Sequence, residues 1–136
     1  MQAWLLPYAP TVLAMGVTAA LFLVQILVVD FASIKAKHVP GTPVPADHGN
    51  FLFRAVRAHA NTNESLAGFV LLALFGMLSG APALAFNLAA WTYVLGRAGH
   101  MACYYADLRT ARSIFFGIGL AALLVMLALG LLPWLG

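Results

Sequence analysis

Four stretches of this chain run for about the roughly 20 residues that a helix needs to cross a bilayer, each with a long run free of charge. They cover about 8–30, 51–79, 83–106 and 112–132. Between them only short connections are left, so the chain reads as one unit over 1–136. The expected fold is an all-α integral membrane protein, a four-transmembrane-helix bundle. Composition agrees. There are 7 basic and 4 acidic side chains among 136 residues, 8% charged, against roughly 25% in an average soluble domain. Mean hydropathy is +0.94. Too few solvated side chains exist to cover a globule in water. High apolarity with low charge excludes disorder, and Cys103 as the only cysteine excludes a disulfide scaffold. A net charge of +3 is no argument for nucleic acid.

The first stretch has no charge from Thr11 to Val29, and Asp30 is expected to close it. A signal peptide is disfavoured there: no Lys or Arg precedes the run, which is also too long for an h-region. The loop from Ala32 to Asn50 holds Pro40, Pro43 and Pro45, which cannot be helix interior. The second stretch is uneven. Leu66 to Leu78 is purely apolar, but the half before it carries Arg54, Arg57, His59, Asn61, Asn63 and Glu64. The apolar half alone is too short to cross roughly 30 Å at about 1.5 Å per residue, so the polar half must enter the membrane zone. Ser79 to Pro82 is a tight uncharged turn, and the connection from Asp107 to Thr110 precedes the fourth stretch.

Lys35, Lys37, Arg54, Arg57, Arg109 and Arg112 all flank the two loops on one side, and the other side has no Lys or Arg. The positive-inside rule puts both termini outside and the two basic loops in the cytoplasm; in a bacterium the membrane would be the inner one. Trp4 and Trp134 then fall at the outer interface, where indole rings are favoured.

At 100° per residue Arg54, Arg57, Asn61 and Glu64 share a sector of about 80°, with Asn50 and Gly68 on the same stripe. On the third helix Tyr93, Arg97, His100 and Tyr104 share about 60°. An antiparallel hairpin brings the two stripes together toward the basic end. The plain reading is polar glue, with Glu64 neutralising Arg57 or Arg97. Yet an intramembrane Arg or Asp costs on the order of 2.5–3.5 kcal/mol. The cluster holds more polar groups than one structural pair needs, and its arginines outnumber its carboxylate. The favoured reading is a binding or catalytic site for an anion.

The run Arg54-Ala-Val-Arg57-Ala-His59-Ala-Asn61-Thr-Asn63-Glu64 before an apolar stretch resembles the second-helix motif of the MAPEG family, the membrane-associated proteins in eicosanoid and glutathione metabolism. Gly96-Arg97-Ala-Gly-His100-Met-Ala-Cys-Tyr104 resembles the third-helix motif, and Leu108-Arg109-Thr-Ala-Arg112-Ser113 the start of the fourth. The glutathione transferase and prostaglandin synthase branches of the family are the nearest in pattern. The resemblance implies a homotrimer with glutathione as cosubstrate, held between neighbouring subunits near the cytoplasmic face, and a role in detoxification. It implies that Arg57, Asn61 and Glu64 hold the tripeptide, with Glu64 on its amino group, and that Arg97, His100 and Tyr104 line the pocket. Arg112 and Ser113 match the pair at the thiol across a one-residue gap, which leaves Arg109 a rival for that role. Lys35 or Lys37 stands nearest to a first-helix arginine of the family. Two positions depart from the prostaglandin synthase pattern: Ala60 replaces an arginine, and Phe116 replaces a tyrosine near the thiol.

Glutathione has two carboxylates and one ammonium. Arginine forks suit the first and Glu64 the second. The reactive species is the thiolate. Lowering a thiol pKa by about two units takes about 2.7 kcal/mol of differential stabilisation, within reach of a partly buried guanidinium and a hydroxyl donor. Arg112 with Ser113 is the expected pair, and Tyr104 the second donor. An apolar electrophile or a hydroperoxide would enter from the bilayer. The expected activity is therefore that of a membrane glutathione transferase or peroxidase, with an isomerase possible on the same scaffold. The alternative is a non-catalytic lipid-binding or structural member. Cys103 reads as packing. His38 and His48 read as solvated loop residues, with no metal site expected. His59 reads as an interface or loop contact, and Gly117, Gly119, Ala121 and Ala122 as close helix packing.

Overall fold

The computed structural model describes residues 2–135. A 3-10 turn, Ala3–Tyr8, leads into α1 (Ala9–Lys35); α2 (Phe51–Ser79), α3 (Ala83–Tyr105) and α4 (Arg109–Leu131) follow, and a last 3-10 turn covers Leu132–Trp134. Among the described residues there is no strand. Taken with their flanking 3-10 turns, α1, α2 and α4 are long and apolar enough to cross a membrane. α3 carries Asn87, Arg97 and His100, is more polar, and is the most enclosed of the four, burying Phe86, Ala90, Tyr93, Val94, Arg97 and His100 among others.

The burial pattern is that of a bundle in lipid. The buried positions of α1 are Thr11, Ala14, Thr18, Gln25 and Ala32, a heptad-like stripe of small or polar residues. Leu27, Phe31 and Ile34 face outward, 67%, 71% and 77% exposed. With lipid tails as apolar as leucine, helices associate through small side chains and polar contacts, and large apolar ones face the acyl chains.

Helix ends show what the chain uses as punctuation. Asn50 caps α2, its side chain accepting from the Leu52 N–H at 2.9 Å. Gly80, at φ +75°, lets the Ala81 N–H reach back to the Gly76 carbonyl at 2.9 Å. The same closure ends α1 and α3 without glycine. Lys37 (φ +52°) and Asp107 (φ +55°) occupy the left-handed position, and the next residues, His38 and Leu108, donate to Ser33 and Cys103 at 3.0 and 2.8 Å. This corrects two boundaries. Helix α1 continues past Asp30 to Lys35, because nothing from Asp30 to Lys35 breaks a helix. Helix α4 begins at Arg109, so Arg109 and Thr110 form its first turn.

A polar clasp that sequence patterning missed fixes α1 on α3. Asn87 accepts from the Thr11 N–H and hydroxyl (3.2 and 2.7 Å) and donates to the Pro7 carbonyl at 2.9 Å. Trp91 donates to the Pro10 carbonyl at 3.0 Å, and Tyr8 to the Ala81 carbonyl at 2.6 Å. At the same end Trp134 donates to the Ser79 hydroxyl. The two terminal segments and the Ser79–Pro82 turn thus share one end of the bundle. At the other end Arg54 donates to the carbonyls of His48 and Tyr105, tying the proline-rich loop to the end of α3.

Candidate functional site

Arg97 organises the polar half of the bundle. It is 2% exposed. Its Nη1 donates to Asn61 Oδ1 at 2.7 Å, and its Nη2 has a long contact, 3.5 Å, with the Phe116 carbonyl. The guanidinium lies 5.8 Å from the Tyr93 ring and 5.6 Å from that of Phe116, within cation–π range. Its Nε is buried without a partner. The space for it comes from glycine. A Cβ on Gly119 would stand 2.7 Å from Arg97 Nη2, and one on Gly96 would stand 2.9 Å from the Gly119 nitrogen. Close approach of α3 and α4 at Gly96 and Gly119 is what admits the arginine. Gly119 and Ala122 are packing residues as expected from the sequence. Within the subunit Gly117 and Ala121 face outward, and a Cβ on Gly117 would meet nothing there.

Arg97 does not form an ion pair with Glu64. Asn61 stands between them, accepting from Arg97 and reaching Glu64 Oε2 through Nδ2 at 3.5 Å. Among the described residues the one ion pair is Arg109 with Asp107, at 3.7 Å. Polar glue based on a Glu64–arginine pair is therefore not what this subunit contains. A cavity of about 180 Å³ lies beside the group, lined by residues of α2 (Asn61, Glu64, Ser65), α3 (Tyr93, Arg97) and α4 (Phe116, Gly119, Leu120, Leu123). Its floor, Tyr93, Arg97 and Gly119, is buried; Glu64, Phe116 and Leu120 at its mouth are exposed.

The remaining candidates fall into two groups. His100, Tyr104 and Arg112 form a stack: His100 meets the Tyr104 ring edge-on at 5.0 Å, and Arg112 covers that ring at 4.3 Å. The His100 ring also lies 6.3 Å from Phe116, which connects this stack to Arg97. Arg57, Arg109, Ser113, Lys35 and Lys37 are exposed and join neither group within the subunit. The Ser113 hydroxyl donates back to the Arg109 carbonyl at 3.4 Å. Arg54, on the same stripe as Arg57, is occupied by the loop clasp.

Ser65 was overlooked in the sequence although it follows Asn61 by one helical turn, the spacing that should have found it. Its hydroxyl lies 2.8 Å from that of Tyr93. Of the other residues, Cys103 is buried. The His59 ring packs on Phe22 of α1 at 4.8 Å, and His38 contacts the Thr42 carbonyl within its own loop.

Compared with known families, the chain matches the MAPEG family over residues 11–132. No curated protein and no solved structure matches it.

Proposed function

This chain belongs to the MAPEG family, and on that premise we propose that it is a membrane-bound glutathione-dependent transferase or peroxidase. The family placement and the spans make it a multi-pass integral membrane protein. One observation carries the finer reading. Among the described residues a buried guanidinium, Arg97, has no carboxylate partner, while an exposed carboxylate, Glu64, has no cation within ion-pair distance, and a cavity adjoins both. Uncompensated charges of opposite sign in a membrane protein match a zwitterionic guest, and exposed Arg57 nearby on α2 offers a cation to a second carboxylate. Glutathione has that charge pattern. Arg57, Asn61, Glu64, Arg97 and His100 would hold it, with Lys35 or Arg109 adding a cation at the loop end.

Glu64 and Arg57 face outward from the subunit at a depth where bare lipid would be costly for them. In the proposed homotrimer a neighbouring subunit covers that face, and the tripeptide sits in the seam. Arg112 then stabilises the thiolate, with Tyr104, already under its guanidinium, as hydroxyl donor. Ser113 supports this only if its hydroxyl leaves the Arg109 carbonyl when the thiol arrives.

Calorimetry of the detergent-purified protein with glutathione tests binding, and turnover of glutathione with a chlorodinitrobenzene-type electrophile tests catalysis. Glu64→Gln should weaken binding about tenfold, and Arg112→Ala should lower kcat at least about tenfold. A second reading, a non-catalytic lipid binder, is favoured by Ser113 bonding to its own helix and by Ala60 and Phe116. Absence of glutathione binding by the unaltered protein would overturn the transferase reading and leave that one standing.

A further inference from the structure

At the loop end of the bundle the end of α1, the start of α2 and the proline-rich loop frame a larger cavity, about 680 Å³, which shares no lining residue with the one beside Arg97. Asp30, Ser33, His38 and Thr42 bring polar side chains to it, and Val29, Ile34 and Val56 give it apolar walls. Asp30 is exposed, and among the described residues it has no cation within ion-pair distance.

The hydrogen bonds of the loop decide what this cavity can recognise. His38 Nε2 lies 3.0 Å from the Thr42 carbonyl, which can only accept, so Nε2 carries the proton. In the neutral ring Nδ1 is then an acceptor. The Thr42 hydroxyl gives its proton to the Val39 carbonyl at 2.7 Å and keeps its lone pairs. Three side chains therefore offer acceptors, one of them with a full negative charge, and only the Ser33 hydroxyl can also donate. The complement of such a set is a cation with several N–H groups.

Depth decides where that cation comes from. At about 1.5 Å per residue the 27 residues of α1 run about 40 Å and overhang a hydrocarbon core of roughly 30 Å by about 5 Å at each end. Asp30 comes about 7–8 Å before the end at Lys35 and so stands at the acyl boundary, where an unneutralised carboxylate is costly. Ile34, which lines the cavity, is 77% exposed toward the acyl chains. Lys37, exposed just past the helix end, lies at the depth of lipid phosphates.

We propose that this cavity binds the headgroup of a phospholipid bearing a primary ammonium, of the phosphatidylethanolamine type. The ammonium donates to the Asp30 carboxylate and to His38 Nδ1, the phosphate lies on the side of Lys37, and the acyl chains run along Val29 and Ile34. A trimethylated ammonium has the same charge and no N–H to donate. The inference goes beyond the transferase reading and does not rest on it.

The test is native mass spectrometry of the delipidated full-length protein in detergent. It is titrated at pH 8 with dioleoyl phosphatidylethanolamine, phosphatidylcholine or phosphatidylglycerol, and separately with soluble phosphoethanolamine and with glutathione. Phosphatidylethanolamine should bind about three- to tenfold more tightly than phosphatidylcholine, the range of one net hydrogen bond, and the soluble headgroup far more weakly than either. Asp30→Asn should bring phosphatidylethanolamine down to the phosphatidylcholine level while leaving phosphatidylcholine and glutathione affinities unchanged. His38→Phe keeps a ring in place, removes one acceptor and should narrow the preference. Equal affinities for the two zwitterionic lipids, tightest binding of phosphatidylglycerol, or soluble phosphoethanolamine binding as tightly as the lipid overturns the site. So does an Asp30→Asn protein that loses subunits and keeps its lipid preference, which would mean that another copy of the chain pairs the carboxylate. If the preference holds but glutathione does not bind, the transferase reading falls and the lipid site stands. If Asp30→Asn fails to fold, His38→Phe decides: a narrowed preference supports the site, and an unchanged one overturns it.

Discussion

Arg97 shows how one charged side chain can shape a bundle in lipid. It heads the large, fully buried side chains, and its single short hydrogen bond goes to Asn61. Asn61→Ala would leave a desolvated guanidinium holding only a 3.5 Å contact. The expected loss is about 1–3 kcal/mol, more than an average neutral hydrogen bond, read from chemical denaturation in detergent. Gly119→Ala acts from the other side. The new methyl meets Arg97 Nη2 at 2.7 Å, so the guanidinium must move. Overpacking of this kind costs typically about 1–3 kcal/mol, and glutathione affinity should fall with it, because the cation no longer stands where the cavity presents it. A loss of stability with unchanged affinity would show that Arg97 supports the fold and not the ligand.

At the scale of elements, three of the four helices end in the same backbone closure, and only α2 has glycine in the left-handed position. Gly80→Ala forces a Cβ into that conformation and should cost about 1–2 kcal/mol, seen as a lower thermal midpoint at unchanged helicity. Lys37 and Asp107 accept the same conformation, so α1 runs past Asp30 to stop beside a lysine, and α3 stops beside an aspartate, neither with a glycine or proline to mark the place. The α1–α3 clasp was illegible for another reason. Asn87, Thr11, Pro7 and Pro10 lie far apart in the sequence, and no periodicity links them.

For the whole molecule, the basic residues gather at the loop end of the bundle and the two tryptophans of the terminal segments at the other. The proposed orientation puts the loop end in the cytoplasm. A cysteine in place of exposed Thr42 should react with a membrane-impermeant maleimide only after the membrane is opened, while one replacing exposed Gln2 should react in intact cells; the reverse pattern would invert the topology. The native Cys103 is buried and should stay silent in both.

Sequence patterning was enough for the bundle itself. Apolar runs of bilayer length admit few other structures, and a 3.6-residue repeat placed Arg97, Asn61 and Glu64 on facing stripes without coordinates. The family followed from the same residues. What needed the tertiary structure was who partners whom. Whether Glu64 neutralises Arg97, whether Gly119 or Gly117 faces a neighbour, and that Ser65 meets Tyr93 depend on how far each helix is rotated and how closely it approaches the next. A few tens of degrees decide these contacts, and side-chain packing between segments distant in the chain sets that rotation, not the spacing of residues within one helix.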